Sequence, residues 1–105
     1  MSRRSRLPPI HPGEVLREEF MVPFKLSANK LASALDVPAN RVTAILNGTR
    51  SITAETALRL SAAFGTSAEF WTNLQALYEL EVAKRSMGAK IERTVDRVRE
   101  TAAAE

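Results

Sequence analysis

The stretch LSANKLASALDVPANRVTAILNG, residues 26–48, carries its apolar side chains in the register of two short helices joined by a tight turn. Leu31, Ala32 and Leu35 fall on one helical face, and after Asp36-Val37-Pro38 the set Val42, Ile45 and Leu46 repeats that face. Ala32 stands where two crossing helices would approach most closely, and Val37 can fill the space under the turn. This is the pattern of a helix-turn-helix.

The boundaries of these helices are written in the same stretch. Ser27 is a good N-cap for a helix over 28–35, because its hydroxyl can accept from backbone donors of the first turn. Pro38 suits the start of a helix over 39–47, where a fixed φ and a missing N–H cost nothing, and Asn47-Gly48 supplies a stop. Asn47 before Gly48 is also a candidate for a left-handed backbone.

Outward from this stretch the pattern stays helical. His11-Pro12-Gly13-Glu14 opens a first helix with Val15, Leu16 and Phe20 inward, ending near Pro23. His11 reads as a packing residue where the chain joins the domain. Thr53 caps a fourth helix with Ala57, Leu60 and Phe64 inward and Gly65 at its end. Ser67 caps a fifth, in which Phe70, Trp71, Leu74, Leu77 and Tyr78 form a stripe wide enough to face a core. No alternating strand pattern competes. The expected architecture is all-α: five helices forming a DNA-binding domain over residues 10–85, with a C-terminal tail or helix beyond it.

The ends read differently. Residues 1–9, with Arg3, Arg4, Arg6 and Pro8-Pro9, cannot bury apolar area and are expected to form a flexible tail, solvated or laid along a phosphate backbone. Over residues 86–105, Met87, Ile91, Val95 and Val98 recur at helical spacing, whereas Gly88 interrupts and the terminal TAAAE has nothing to pack. Such a segment either docks on a partner or frays.

Composition narrows the class. At 105 residues, 45% of them hydrophobic, the chain can build one small core. It has no cysteine, which excludes disulfides, thiolate zinc sites and thiol catalysis and suits a reducing cytoplasm. It has neither a signal peptide nor an apolar run long enough to span a bilayer, so no membrane is expected. The single histidine, the absence of a glycine-rich phosphate loop and the absence of a His/carboxylate cluster argue against an enzyme, a metal or a small-molecule cofactor. Glu18-Glu19, Glu79 and Glu81 read as solvated helix faces.

Charge is unevenly placed along the chain. Residues 38–52 contain Arg41 and Arg50 and no acid, as a surface meeting phosphates requires, since a carboxylate there would oppose the release of counterions. The second helix of such a motif enters the major groove at its N-terminal turns while the first crosses the backbone. Ala39, Asn40, Thr43, Ala44 and Asn47 project from the outer face of that helix, opposite Val42 and Ile45, with Pro38 at its start. Asn40 can pair with adenine through two hydrogen bonds, Thr43 can meet a base edge or a thymine methyl, and Arg41 can reach phosphate or guanine. Ser27, Asn29, Asn47, Thr49 and Arg50 flank that face and are candidates to hold phosphate and fix register. Two or three base contacts per protomer, each worth about 1–3 kcal/mol of discrimination, give useful selectivity only when a dimer doubles them.

The strings IHPGEVLREEF, LA..L.V...RV.AILNG.R, IT.ETALRL...FGTS.EFW.NLQ and YELE together give the chain, over about residues 10–85, a resemblance to the HigA-type antitoxins. These are a branch of the lambda-repressor-like helix-turn-helix proteins. The resemblance implies a five-helix domain that dimerises, represses its own operon at an inverted-repeat operator on double-stranded DNA, and neutralises a HigB toxin. That toxin would be a RelE-like ribonuclease acting on translated mRNA. It further implies base reading from the positions of Ala39, Asn40, Thr43 and Ala44 and phosphate binding from that of Asn47. Two positions depart from the family pattern: the glutamine that often opens the second helix is Ala28, and the glycine usual in the turn is Asp36. The acidic first and fifth helices, with Glu14, Glu18, Glu19, Glu69, Glu79 and Glu81, would complement a basic toxin. The rival reading is a stand-alone repressor with no toxin partner.

Overall fold

The computed structural model describes residues 7–98. It is all-helical among those residues, and its five helices follow the expected order. We label as α1 the stretch made of an α turn Pro12–Val15, a π-helical segment Leu16–Met21 and a last turn Val22–Phe24. Then come α2 (Ala28–Leu35), α3 (Ala39–Leu46), α4 (Ala54–Phe64) and α5 (Ala68–Thr94). The tail residues 1–6 and the terminal residues 99–105, TAAAE among them, lie outside the described residues.

Four of the five helices begin at a side-chain cap, and α3 begins at Pro38 without one. Ser27, Thr53 and Ser67 accept through their side chains from Lys30, Thr56 and Phe70 backbone N–H groups, as good N-caps do. His11 caps α1 in the same way: its Nδ1 accepts from the Gly13 N–H at 2.9 Å. Asp36 carries φ of 60° at the end of α2, with the Val37 N–H donating to Ala32 O at 3.0 Å. That closes the turn as a glycine would. At the end of α3 the left-handed residue is Gly48, with φ of 79°, whereas Asn47 stays right-handed at φ −80°. Asn47 therefore does not take the left-handed backbone that the sequence allowed it, because glycine next to it does so without a Cβ penalty.

The π-helical segment is a feature that no periodicity of 3.6 anticipates. The Val22 N–H donates to Arg17 O, five residues back. The wider winding buries both Leu16 and Met21, with Phe20 half-buried between them. Helix α1 also runs through Pro23 by one residue and stops at Lys25, which has φ of 56°.

Trp71 is the centre of the core. It is fully buried, donates through Nε1 to Thr66 Oγ1 at 2.8 Å, and packs 5.1 Å from the Phe20 ring. Leu16, Leu31, Ala32, Val42, Ile45, Ala57 and Leu60 close around it, and Val37 packs against this cluster from the turn. The stripe expected on α5 is only half realised. Leu74 and Tyr78 are half-buried, Phe70 is on the rim, and Leu77 is 64% exposed. Gln75 takes the buried place instead. Nor does Gly88 interrupt: α5 runs unbroken to Thr94 and crosses position 85, with Met87 and Ile91 each about half exposed.

Candidate nucleic-acid interface

Helix α3 presents a polar outer face over a fixed apolar one. Val42 and Ile45 are buried, while Ala39, Asn40, Thr43 and Asn47 are exposed and Ala44 is half-buried. Pro38 is exposed at its N-cap, and Ser27, Asn29, Thr49 and Arg50 are exposed around it. These positions all come from the two helices and the loop that follows them, so one rigid unit carries the candidate contacts.

Several of these groups already have local partners that limit what they can offer. Thr43 Oγ1 donates to Ala39 O at 3.1 Å, so its oxygen lone pairs and methyl remain to face a base edge. Thr49 Oγ1 donates to Ala44 O at 3.1 Å, closing the end of α3. Ser27 Oγ accepts from Lys30 N–H at 3.1 Å and so acts as a cap. Arg41 has a partner on α4 that the sequence reading does not include. Its Nη1 lies 3.4 Å from Glu55 Oε1 and its side chain is only 20% exposed. That carboxylate holds its guanidinium against α4.

Glu55 is part of a clamp that motif reading misses. Arg59 Nη1 donates to Leu35 O at 2.9 Å and to Asp36 O at 3.4 Å, satisfying carbonyls left open at the end of α2. Its Nη2 also donates to Glu55 Oε2 at 2.9 Å. The hydrogen bond and charge of Arg59, followed by the charge of Arg41, hold the Glu55 carboxyl below its ordinary range. Helix α4 thus pins the turn and one flank of α3 together. The acid in this clamp lies three residues beyond the acid-free stretch, which is why a count along the chain does not find it.

The loop after α3 is held from the other side. Gln75 Oε1 accepts from the buried Ile52 N–H at 2.8 Å, and its Nε2 donates to Ser51 Oγ at 3.3 Å and to Glu79 Oε2 at 2.9 Å. Glu79, read from sequence as a solvated acid, is a structural acceptor that helps fix the loop carrying Arg50. A buried glutamine on a helical face with apolar neighbours is the signal that could have revealed this.

The N-terminal end of α1 abuts the far end of α3. A Cβ on Gly13 would overlap the Ile45 carbonyl, so only glycine allows the two backbones to approach this closely. Arg17 Nη2 donates to Leu46 O at 3.3 Å across the same junction. The His11 ring packs edge-on against Tyr78 with centroids 4.8 Å apart, and burial pushes its imidazole below its ordinary value. Beside this junction Leu7, Pro8, Pro9 and Ile10 border an apolar cavity of about 390 Å³ with Leu74 and Tyr78. Among the described residues no cluster of His, Cys, Asp and Glu could hold a metal, and no helix is long and apolar enough to cross a membrane.

This scaffold is that of a helix-turn-helix regulator, and the helix-turn-helix family matches residues 16–71 of the chain. The virulence-associated protein I of Dichelobacter nodosus is 48% identical over 82 residues, which cover 78% of this chain and 76% of that protein. An addiction module antidote protein of the HigA family from Coxiella burnetii superimposes with a TM-score of 0.83 at 57% identity, covering 87% of this chain and 99% of its own. The Pseudomonas aeruginosa antitoxin HigA, solved with the higBA promoter, gives 0.82 at 46% identity, covering 84% and 96%. The chain belongs to the HigA antitoxin family of lambda-repressor-like helix-turn-helix proteins. It is a regulator by family and not an enzyme.

Proposed function

We propose that this chain is a cytoplasmic antitoxin that binds double-stranded operator DNA as a homodimer, represses its own operon and neutralises a HigB toxin, a RelE-like mRNA-cleaving ribonuclease. One observation carries the DNA-binding part. The exposed face of α3, with Asn40, Thr43 and Asn47, is flanked by Ser27 and Arg50 and backed by the rigid Val42–Ile45 side, in a stretch without acids. Hydroxyl, amide and guanidinium groups arranged in this way offer base-edge and phosphate contacts together. The structure of the Pseudomonas aeruginosa relative with promoter DNA supports this reading.

Two copies reading one operator would set their α3 helices about 34 Å apart, one turn of B-DNA. Footprinting on the chain's own promoter should therefore protect an inverted repeat with that half-site spacing, and protection of a single half-site would reject the dimeric mode. The antitoxin part is tested by co-expression with the product of the adjacent gene. A co-purifying complex and restored growth are expected, whereas a lone repressor with no effect on growth would leave the stand-alone reading in its place.

A further inference from the structure

Arg41 and Arg50 are the basic residues of the acid-free stretch 38–52, and the fold presents them differently. Arg50 stands exposed on the loop after α3, whereas Arg41, next to Asn40 on the reading helix, has a largely covered side chain. The hold on Arg41 is incomplete. Its Nη1 meets Glu55 Oε1 at 3.4 Å, and its buried Nε has no hydrogen-bond partner. Glu55 holds its other arginine far more closely. Arg59 donates to Glu55 Oε2 from Nε at 3.2 Å and from Nη2 at 2.9 Å, and its Nη1 donates to Leu35 O at 2.9 Å, so each of its three nitrogens has an acceptor. Arg59 alone therefore ties Glu55 to the turn, and Arg41 adds nothing to that brace. What Arg41 receives from Glu55 is mainly charge. A carboxylate and a phosphate offer a guanidinium the same pair of anionic oxygens, so Glu55 occupies for Arg41 the place that a DNA phosphate would take.

We propose that Glu55 is a positioning residue that limits how tightly the chain holds DNA, by keeping the Arg41 guanidinium from the phosphates beside α3. This rests on the DNA-binding reading above and adds to it a restraint built into the reading unit. A guanidinium that neutralises a phosphate releases condensed counterions and strengthens binding to every sequence alike. Paired with Glu55, Arg41 makes no such contribution, because its charge is already matched. Over residues 38–59 the cations are Arg41, Arg50 and Arg59. Arg59 is engaged at the turn, so withdrawing Arg41 leaves Arg50 as the cation of that stretch that faces solvent freely. The sequence-blind part of the affinity shrinks, and the base contacts of Asn40 and Thr43 make up a larger share of what remains. A repressor of its own operon must also leave the operator when its concentration falls, and a moderated phosphate hold permits that.

The test measures Kd of the full chain for its operator duplex and for a scrambled duplex of equal length over a range of salt, with a thermal melt of each variant. Glu55→Gln keeps an amide oxygen that can accept from Arg59. It should tighten binding to both duplexes alike, by about fivefold to tenfold per protomer at ~0.1 M salt, and steepen the salt slope by about 0.9 per protomer. Arg41→Gln leaves the Arg59–Glu55 pair in place and should change either Kd by less than about threefold, with the slope nearly unchanged. The double variant should bind like Arg41→Gln, since no guanidinium is left to release. Weaker binding by Glu55→Gln at an unchanged slope overturns the proposal and leaves Glu55 a brace. A loss of about tenfold or more with a shallower slope in Arg41→Gln overturns it as well, because Arg41 would then already hold phosphate in the wild type. A gain from Glu55→Gln that persists without Arg41 overturns the route through Arg41. Each of these results leaves the DNA-binding reading standing. A wild-type chain that binds neither duplex at low salt overturns that reading and this role together.

Discussion

The reading end of the molecule and the distal half of α5 are both helical, yet they are held in opposite ways. Helix α3 is only eight residues long, too short to persist alone, and is kept by the core beneath it, the Arg59–Glu55 clamp on one flank and the Gln75 bonds behind its loop. Along the distal half of α5, from Val82 to Thr94, Met87 and Ile91 are about half exposed among the described residues. The difference separates precision from availability. Helix α3 is over-determined by its neighbours, and the distal half of α5 keeps its apolar residues largely uncovered.

Removing the centre of the packed region is the most direct way to break this contrast. Trp71→Ala should cost about 3–5 kcal/mol in urea denaturation. Ile91→Ala should leave the stability of the monomer within about 0.5 kcal/mol. Comparable losses from the two would abolish the distinction.

A cut at the loop brace sharpens it. Gln75→Ala strands the buried Ile52 N–H and should cost about 1–3 kcal/mol, with faster amide exchange at Ile52 than at the centre of α4. Next come the contacts themselves, measured by binding to operator and to scrambled DNA over a range of salt. Asn40→Ala should lower discrimination by about 1–3 kcal/mol with little loss of fold. Arg50→Ala should instead weaken binding to all sequences and reduce the salt slope by about 0.9. Equal, sequence-blind losses from both would refute that division.

Acid should loosen the junction between α1 and α3. The neutral His11 Nδ1 accepts from Gly13, and its lowered pKa means that the folded state prefers the unprotonated ring. That contribution to stability is complete above the ordinary value of 6.5 and is lost as pH falls below it. A melting-temperature series from pH 8 to 5 should show this decline, and His11→Asn, which keeps a capping acceptor without titrating, should remove it. The smallest effect belongs to the distal helix. Gly88→Ala, whose new Cβ would meet nothing nearer than Lys84 Cβ at 3.9 Å, should stabilise the helix locally by about 0.5–1 kcal/mol. It should slow amide exchange over residues 84–94 without raising the urea midpoint of the core.

Much of this was legible before any coordinates. Ser27, Thr53 and Ser67 named the starts of three helices, because an N-cap needs only a local side chain and the next backbone donors. Ala28–Leu35 and the start of α3 at Ala39 match the boundaries read from spacing, and the exposed positions on α3 follow from its register. What was not legible involved partners distant in sequence. Arg41 meets Glu55, Arg59 meets Leu35, and Gln75 meets Ile52. No local pattern brings these pairs together. The buried stripe of α5 is narrower than its spacing predicts for a related reason: periodicity shows that a face is apolar but not what covers it.

Sequence by itself determined the helical class, the turn between α2 and α3, the caps and the face of α3 that carries Asn40, since each depends on residues within about one or two helical turns of one another. Tertiary structure alone decided that Arg41 turns toward α4, that Glu79 braces a loop, that Gly13 lets α1 press on α3, and that the second apolar face of α5 stays open. Those outcomes depend on which distant groups arrive within hydrogen-bonding or van der Waals reach, and only the packed chain sets that.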